Sequence, residues 1–475
     1  MSDDSEIDNF VEDENSSGSD VSISSTDNQS CVKLNVPWGL TDFSDKPDEE
    51  EITCDKTLIE KVISNYIVIK RILSNLSWQD KRQCKQVNTT WHSAVQALQR
   101  EQIGPEDFSV NNNGKKLLLY KKSDNFYTEP LAVLTFANIE GFNLSYKCKL
   151  ISPQACTPAC DKEHCLLDYI QRDACALKEC MLTVRANYIS YLPLPTSPTY
   201  DNVIKHIFEY PHPFIGGIYI PSIPDVEYHM INIKSQNNIQ EEFFDVVDKI
   251  VQNRTIKGVL VYVSEKYLLH SVESIVFLNY LKKVQPDVPY ALGGCIIEDT
   301  LSEHSNIFDV IGCINNDKDF TSENLISLGM FTVPKLSSQN DQDKYNFDMY
   351  SLVVESSDWT KAKIQKTISE FSKNVPRFEH SVVVKLSCVG REQKHSLEQD
   401  SFRHEFPDTT LIGCYGNGEL GIDHPAKTSK EEGPPAKRHR RDPGPQFGIM
   451  FSYSTVFMYI GWGLQWNTVS PKAVY

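Results

Sequence analysis

The first clear pattern along the chain is a helical spacing of apolar residues in the stretch IVIKRILSNL. These residues follow one another at intervals of three or four: Ile69, Ile72, Leu73 and Leu76. On a helix this spacing forms one apolar stripe. The stretch therefore predicts an amphipathic helix.

Two further helices are predicted directly after it. Ser77, followed three residues later by Asp80, is a capping pair that opens a second helix at Trp78. Thr89 or Thr90 precedes a third segment whose apolar residues share one face: Trp91, Ala94, Val95 and Leu98. Three short helices bury little apolar surface, so a unit of this size is marginally stable alone.

From residue 117 onward, short apolar runs alternate with helical patterns. The predicted strands are Leu117 to Tyr120, Ala132 to Ala137, Leu182 to Leu192, Phe214 to Ile220, Glu227 to Lys234, Gly258 to Val263, Tyr290 to Ile297, Asp309 to Ile314, Tyr350 to Glu355, Ser381 to Ser387 and Thr409 to Tyr415. The predicted helices are Gln240 to Val251, Ser271 to Val284, Thr360 to Phe371 and Leu397 to Phe406. This alternation predicts an α+β or mixed α/β domain with a mixed sheet.

Shifts in composition predict the organisation of the chain. Residues 1–56 are rich in serine and acidic residues and read as a disordered acidic tail. The further predicted segments are a helical domain (57–105), the start of an α/β domain (106–147), a cysteine-rich insertion (148–180), the main α/β domain (181–423), a basic, proline-rich disordered loop (424–446), and terminal strands with a tail (447–475).

Composition and charge limit the class of protein. The chain has 475 residues and a net charge of -17, which argues against a general nucleic-acid binder, because that function needs a clustered basic surface. Its 13 cysteines are irregularly spaced and follow no apolar signal segment, as is typical of reduced intracellular thiols. We therefore expect a location in the cytoplasm and nucleus.

One charge-free run could instead cross a membrane. The run from Phe447 to Trp466 is long enough for a transmembrane helix. However, its β-branched and aromatic residues, interrupted by glycines, suit one or two buried strands better. We therefore predict strands and no membrane partner.

The stretch LIGCYGNGELGID carries the G-x-G-x-x-G spacing at Gly416, Gly418 and Gly421. A dinucleotide site would need a helix opening inside this motif to hold the pyrophosphate. The residues after Gly421 include Pro425 and show no helical period. The motif therefore predicts a tight turn that leaves a buried strand.

Side chains near this turn are the candidates for a chemical site. Arg391 follows Cys388 closely and could favour its thiolate form, although a buried inert thiol is the commoner state of a strand cysteine. His395 and His404 lie nearby in sequence. Glu419 could face Arg391 across the floor of a pocket, or the two could form a surface ion pair.

Two insertions carry candidate residues of other kinds. Cys156, Cys160, His164 and Cys165 are competent zinc ligands, but they lack the paired C-x2-C spacing of a RING or a ribbon, and free thiols remain the alternative. We expect no cofactor. The second insertion contains a basic cluster that resembles a nuclear import signal: Lys437, Arg438, Arg440 and Arg441.

The helical segment resembles an F-box. The matching positions, which the resemblance assigns to adaptor binding, are Val68, Ile69, Ile72, Leu73, Leu76, Val87 and Trp91. The usual Leu-Pro opening is replaced by Asn65 and Tyr66, and Asn88 stands where F-boxes commonly have a cysteine.

The C-terminal half resembles a FIST domain. VVVKLSCVGREQ and FRHEFPDTTLIGCYGNGELGID resemble its end, and GVLVYVS with YALGGC resembles its beginning. An F-box followed by a FIST domain is the arrangement of the F-box only protein 22 family, of which the chain resembles a divergent member. The candidate pocket for a substrate or ligand then comprises Cys388, Gly390, Arg391, Gly416, Gly418, Glu419, Gly293 and Gly294.

The resemblance implies a substrate-recognition subunit of an SCF-type (Skp-cullin-F-box) ubiquitin ligase. Its F-box would bind the Skp adaptor, and through it a cullin-RING scaffold. The FIST-like domain would capture protein substrates for proteasomal degradation, without catalysing a reaction. The alternative is a small-ligand sensor or a cysteine-dependent enzyme whose N-terminal helices are a packing cap.

Overall fold

A computed structural model describes fourteen segments of the chain. They are residues 60–61, 63–112, 117–121, 126–142, 145–147, 163–165, 178–196, 214–265, 275, 277–301, 324–335, 346–355, 358–426 and 450–466. Within them the chain is a mixed α+β protein with several helices and three mixed sheets. This confirms the fold class expected from the alternation of strands and helices.

The N-terminal helices are α1 (Tyr66–Leu73), α2 (Trp78–Cys84) and α3 (Thr89–Glu101). Each begins at a side chain that accepts hydrogen bonds from free backbone N–H groups. Ser77 caps α2 as predicted, through a bond from the Asp80 N–H. α3 begins directly after Asn88, whose side chain accepts the Trp91 N–H, so Thr89 and Thr90 form its first turn.

The remaining elements follow in chain order. The strands are β1 (Glu106–Asn112), β2 (Leu117–Lys121), β3 (Pro130–Ala137), β4 (Ser145–Lys147), β5 (Glu163–Cys165), β6 (Met181–Arg185), β7 (Tyr188–Leu192), β8 (Phe214–Pro221), β9 (Glu227–Ile233), β10 (Arg254–Ser264), β11 (Ala291–Ile297), β12 (Asp299–Leu301), β13 (Ile326–Pro334), β14 (Asn346–Val354), β15 (Arg377–Cys388), β16 (Thr410–Gly416), β17 (Glu419–Gly421), β18 (Met450–Phe451) and β19 (Thr455–Trp466). The helices are α4 (Ile139–Phe142), α5 (Asp245–Asn253), α6 (Asn279–Val284), α7 (Lys361–Asn374) and α8 (His395–Glu405).

Several short turns of the described chain are not α-helical. They are 3-10 helices at Lys178–Cys180, Gln236–Asn238 and Val389–Lys394, and a π-helical turn at Gln240–Phe244 that runs into α5.

Three sheets organise the described strands. The first has the order β12-β6-β3-β8-β1-β2, the second β18-β17-β11-β10-β13-β9, and the third β14-β19-β15-β16-β7. Each sheet combines antiparallel pairs with one described parallel pair. These parallel pairs are β3 with β6 in the first sheet, β10 with β11 in the second and β15 with β16 in the third. β4 and β5 pair with each other.

Alternating residues divide each central strand between two layers. In β10, Leu260 and Tyr262 lie in a core that receives residues from all three sheets, while Val261 lies in a separate core with α5 and α6. In β15, Val384 enters the shared core and Val383 packs under α7 and α8. The two-residue period of a strand explains this division.

Some strand predictions need correction. The predicted strand from Leu182 to Leu192 is two strands, β6 and β7, in different sheets, with Ala186 and Asn187 between them. The strands β1 and β13 were not predicted. The predicted strand at Asp309 to Ile314 and the first part of the predicted helix from Ser271 lie outside the described residues.

The charge-free run is confirmed as strand. Its described part forms β18 and β19, and β19 lies between β14 and β15 with both faces buried along most of its length. Burial on both faces explains the continuous apolar sequence. None of the described helices is long and apolar enough to cross a membrane.

The glycine motif connects two sheets. β16 ends in the third sheet at Gly416, and β17 begins in the second sheet at Glu419. Between them, Asn417 and Gly418 exchange backbone hydrogen bonds of 2.9 Å with Ile296 of β11. A side chain at Gly416 would lie 2.2 Å from the Ile296 carbonyl oxygen, and Gly418 has a φ of +151°. Residues 422–426 are not helical, as predicted for a motif without a dinucleotide.

Gly413 offers a direct test of the contact between β15 and β16. A Cβ atom there would lie 1.7 Å from the Lys385 carbonyl oxygen, a backbone atom that cannot move alone. We expect Gly413→Ala to lower the free energy of unfolding by about 3 kcal/mol. Gly104→Ala is the matched control, because its nearest atoms are 3.7 Å away in the His380 ring. Equal denaturation midpoints for the two variants would contradict this packing.

Candidate functional site

The three N-terminal helices form a unit with a small core of its own. Its buried apolar residues are Ile69, Leu73, Ala94, Val95 and Leu98. The first two come from α1 and the others from α3. Leu76, Cys84 and Trp91 pack against this core and are half-buried. Leu76 lies beyond the end of α1, which stops at Leu73.

The predicted adaptor-binding residues separate into two groups. Ile69 and Leu73 are fully buried in the unit's own core, so they are not free to contact a partner. In contrast, Val68, Ile72 and Val87 are 36%, 44% and 60% exposed. The stripe predicted from the spacing thus serves mainly the unit itself, and the exposed residues flank it.

Further exposed apolar residues lie beside these and were not predicted. Ile63 and Tyr66 are exposed, and Ile67 is 77% exposed. We call the six exposed residues the apolar surface: Ile63, Tyr66, Ile67, Val68, Ile72 and Val87. The sequence signal was present in α1, YIVIKRIL, because six of its eight residues are apolar and a single stripe needs fewer.

The helical unit is attached by polar contacts to the segment that precedes β3 and to β19 of the third sheet. The Trp78 N–H donates to the Phe126 carbonyl at 3.0 Å, and the Trp462 indole donates to the Ile103 carbonyl at 2.7 Å. Lys81 is buried and donates to the Tyr127 carbonyl at 2.9 Å. Burial lowers the pKa of Lys81 to about 8. These contacts fix the direction in which the apolar surface faces.

A second candidate site lies where β15 ends. Arg391, in the turn after Cys388, is fully buried and points inward. Its Nε donates to Glu398 Oε1 of α8 at 3.0 Å, and its Nη1 donates to the Tyr453 carbonyl at 2.7 Å. Glu419 lies near Arg391 and Cys388, as predicted, since both affect its pKa, but the ion pair of Arg391 is with Glu398. The alternative, an ion pair between Arg391 and Glu419 at the surface, is wrong, because Arg391, Glu398 and Glu419 are all buried.

Lys385 extends this ionic cluster. Its Nζ lies 3.6 Å from Glu398 Oε2 and 3.2 Å from His395 Nδ1, and all three residues are buried. Burial lowers the pKa of Lys385 to about 8; Glu398 acts against this shift and Arg391 adds to it. Burial, together with Lys385, lowers the pKa of His395 to about 2, so the imidazole is neutral. His404 lies apart and is exposed.

Glu419 reaches the same interior from the glycine turn. Its Oε2 accepts hydrogen bonds from Ser454 N at 3.2 Å and Ser454 Oγ at 2.8 Å. Burial raises the pKa of Glu419 to about 8, although Ser454, Arg391 and Cys388 act in the opposite direction. Glu419 is thus a largely neutral acid at pH 7.

Cys388 does not have the electrostatic surroundings of an activated thiol. Burial, and after it Glu419, raises the pKa of Cys388. Arg391 acts in the opposite direction, but it is the smallest of the contributions. The hypothesis that Arg391 holds Cys388 as a thiolate is therefore wrong, since a nucleophilic cysteine needs a lowered pKa.

The candidate glycines are packing positions around this cluster. Gly293 and Gly294 lie in β11 opposite Gly421 and Leu420. A Cβ atom at Gly293 would lie 2.4 Å from Met458 Cγ, and one at Gly294 would lie 2.1 Å from the Val261 carbonyl oxygen. They permit close strand contacts and thereby bring β17 with Glu419 against β11. Gly390 is exposed and lies beneath the Tyr453 ring.

The remaining candidates cannot be placed. Cys156, Cys160 and the basic cluster at Lys437, Arg438, Arg440 and Arg441 lie outside the described residues. His164 and Cys165 belong to β5, but their side chains are not described. Within the described segments, no group of three or more His, Cys, Asp or Glu side chains could hold a metal ion.

Comparison with known proteins does not identify a family. No family profile matches the chain, and no curated protein does. Among solved structures, a cyanuric acid hydrolase from A. caulinodans aligns with 70% of this chain and 91% of its own length, at 7% sequence identity and a TM-score of 0.26. A similarity this low supports no conclusion about fold or activity.

The pKa of Glu419 predicts a pH-dependent stability. The unfolded chain loses this proton near pH 4.5 and the folded chain near pH 8, so Glu419 destabilises the fold progressively across that window. We expect Glu419→Gln to gain stability relative to the unmodified protein as pH rises, by up to about 1.4 kcal/mol per pH unit.

Denaturant unfolding of both proteins between pH 5 and pH 8, roughly the span over which the two Glu419 proton equilibria differ, measures this difference. Lys385, His395 and Arg391 are present in both proteins, so those contributions that do not depend on the charge of Glu419 cancel. If the difference in the free energy of unfolding between the two proteins stays constant with pH, Glu419 is not a neutral acid in the folded protein.

Proposed function

We propose that the chain is the substrate-recognition subunit of an SCF-type ubiquitin ligase, with the helical unit binding the Skp adaptor. The observation that carries the proposal is that α1 is apolar on nearly every side, although the unit itself buries only part of it. The compartments expected from the sequence, cytoplasm and nucleus, belong to the same proposal.

Burial on α1 is the first step of the argument. Ile69 and Leu73 are fully buried, whereas Tyr66, Ile67 and Ile72 are exposed. A helix that is apolar all round is normally buried on all sides, because exposed apolar surface is unfavourable in water. α1 therefore has the surface of a helix that lies between its own unit and another molecule.

The size of the unit is the second step. Five fully buried apolar residues form its core, and a core this small gives a marginal stability. Helices of a partner that cover Ile67, Ile72 and Val87 would add buried apolar area. At about 25 cal/mol per Å² of apolar surface, such an interface contributes substantially to both association and stability.

The identity of the partner rests on the resemblance to an F-box. Val68, Ile72 and Val87 are positions at which the resemblance implies adaptor binding, and they are also exposed. The contacts of Trp78, Lys81 and Trp462 fix the unit on the sheets. A protein substrate held by the sheets would then be presented to the ligase in a defined direction.

We assign the sheets to binding and not to catalysis. The described side chains that resemble a catalytic set are occupied with one another: Arg391 and Lys385 contact Glu398, and the pKa of Cys388 is raised. Ubiquitin transfer would be left to the other subunits of the complex.

Co-purification with the adaptor tests the proposal. The full chain carrying Ile72→Asp and Val87→Asp should retain at most about a tenth of the adaptor bound by the unmodified chain, because each change buries a charge in an apolar interface. Neither side chain lies in the core of the unit, so the fold should persist. The thermal unfolding midpoint verifies this.

The matched control is Leu464→Asp. Leu464 is 64% exposed, as apolar as the tested residues, and lies at the end of β19 outside the helical unit. It should bind the adaptor normally. Leu73→Asp is unsuitable as a test because Leu73 is a core residue. Unchanged adaptor binding by the folded double variant would overturn the proposal.

A further inference from the structure

Two cysteines from different sheets are in contact inside the shared core. The Sγ atoms of Cys295 and Cys414 are 3.6 Å apart, and both residues are fully buried and unbridged. Cys295 lies in β11 of the second sheet and Cys414 in β16 of the third. They are separated by 119 positions in the sequence.

We propose that Cys295 and Cys414 are an oxidative modification site, at which a peroxide-class oxidant converts the two thiols into a disulfide that joins the second and third sheets. The sulfurs are already in van der Waals contact. A disulfide has a sulfur–sulfur bond of about 2.05 Å, so side-chain rotation with a small approach of the strands completes it.

The chemistry balances with hydrogen peroxide. The sulfur of one cysteine attacks a peroxide oxygen, the oxygen–oxygen bond breaks, and the thiol proton leaves with the released hydroxide as water. This gives a sulfenic acid, which is the first step of cysteine oxidation. The second sulfur then attacks the sulfenic sulfur and expels hydroxide, which takes the second thiol proton as water. Two thiols are oxidised and one peroxide is reduced to two waters.

Access to the pair depends on the short strand β17. It has three residues, and Glu419 of β17 lies opposite Cys295 in the register with β11. The turn before β17 is exposed at Asn417. Opening such a short segment costs less free energy than global unfolding. Because burial raises the pKa of Cys295, oxidation should be slow while β17 is closed and should follow its opening.

The disulfide would have a defined effect on the fold. It would close a loop of more than one hundred residues and so reduce the conformational freedom of the unfolded chain. It would also fasten β16 to β11 before the Gly416–Glu419 turn, after which β17 already pairs with β11. Oxidation should therefore stabilise the sheets reversibly, and a thiol reductant should remove the effect.

The experiment uses the full chain, reduced, desalted and exposed to hydrogen peroxide under native conditions. After the remaining thiols are blocked, digestion and mass spectrometry should show a peptide that links Cys295 to Cys414. The thermal unfolding midpoint should rise by on the order of 5 °C and return after treatment with dithiothreitol. Cys414→Ala should lose both the linked peptide and the shift.

Cys388→Ala is the control, because it removes a more accessible thiol that is not a member of the pair, and it should keep both effects. The proposal is overturned if the linked peptide is absent when Cys388 of the unmodified chain is fully oxidised. It is also overturned if the peptide forms only after denaturant is added, or if Cys414→Ala shows the same midpoint shift.

Discussion

One face of each of the three sheets is buried in the same core, and this shared burial constrains the rest of the sheet region. Leu134 of β3, Leu260 of β10 and Val384 of β15 belong to one cluster. Where the chain passes directly from one sheet to another, as between β6 and β7, the connection is only a few residues long. The turn from Gly416 to Glu419 does this between the third and second sheets. It requires glycine because the backbone of β11 lies 2.2 Å from where a side chain would begin.

The same constraint explains the buried ionic cluster. Strand alternation turns Lys385 away from the shared core and toward α8, where its side chain is fully buried. An unpaired buried charge is very costly, so the cluster is retained only because Glu398 contacts both Lys385 and Arg391. Glu419, brought inward by the turn, forms no ion pair with any residue that the structure describes. Burial raises its pKa, so the carboxyl group stays largely protonated at pH 7.

The sequence predicted those features that depend on local spacing. The two-residue and helical periods located most strands and helices, and the absence of a helix after Gly421 excluded a dinucleotide site. Spacing carries no information on which sheet a strand joins, so the separation of β6 from β7 was missed. Nor does it reveal every partner across the fold: Glu419 lies near Arg391 as expected, but the ion pair of Arg391 is with Glu398, which was not predicted. The burial of Lys385 could have been predicted, because the apolar residues around it in VVVKLSC indicate a strand that is buried on both faces.

The N-terminal helices show the same limit in another form. Their apolar positions were recognised, but only the structure divides Ile69 and Leu73, which the unit buries, from Ile67, Ile72 and Val87, which it does not. A helix that is apolar on nearly every side is the physical basis of the proposed adaptor interface. Everything proposed about ubiquitin ligase function depends on that surface being covered.

Hydrogen exchange of the full chain, with and without purified Skp adaptor, tests this most directly. Covering the apolar surface should slow amide exchange in α1 and around Val87 while leaving β10 and β15 unchanged, because a bound partner suppresses the local opening of the helices it contacts. Protection confined to the sheets, or no protection at saturating adaptor, would contradict the account.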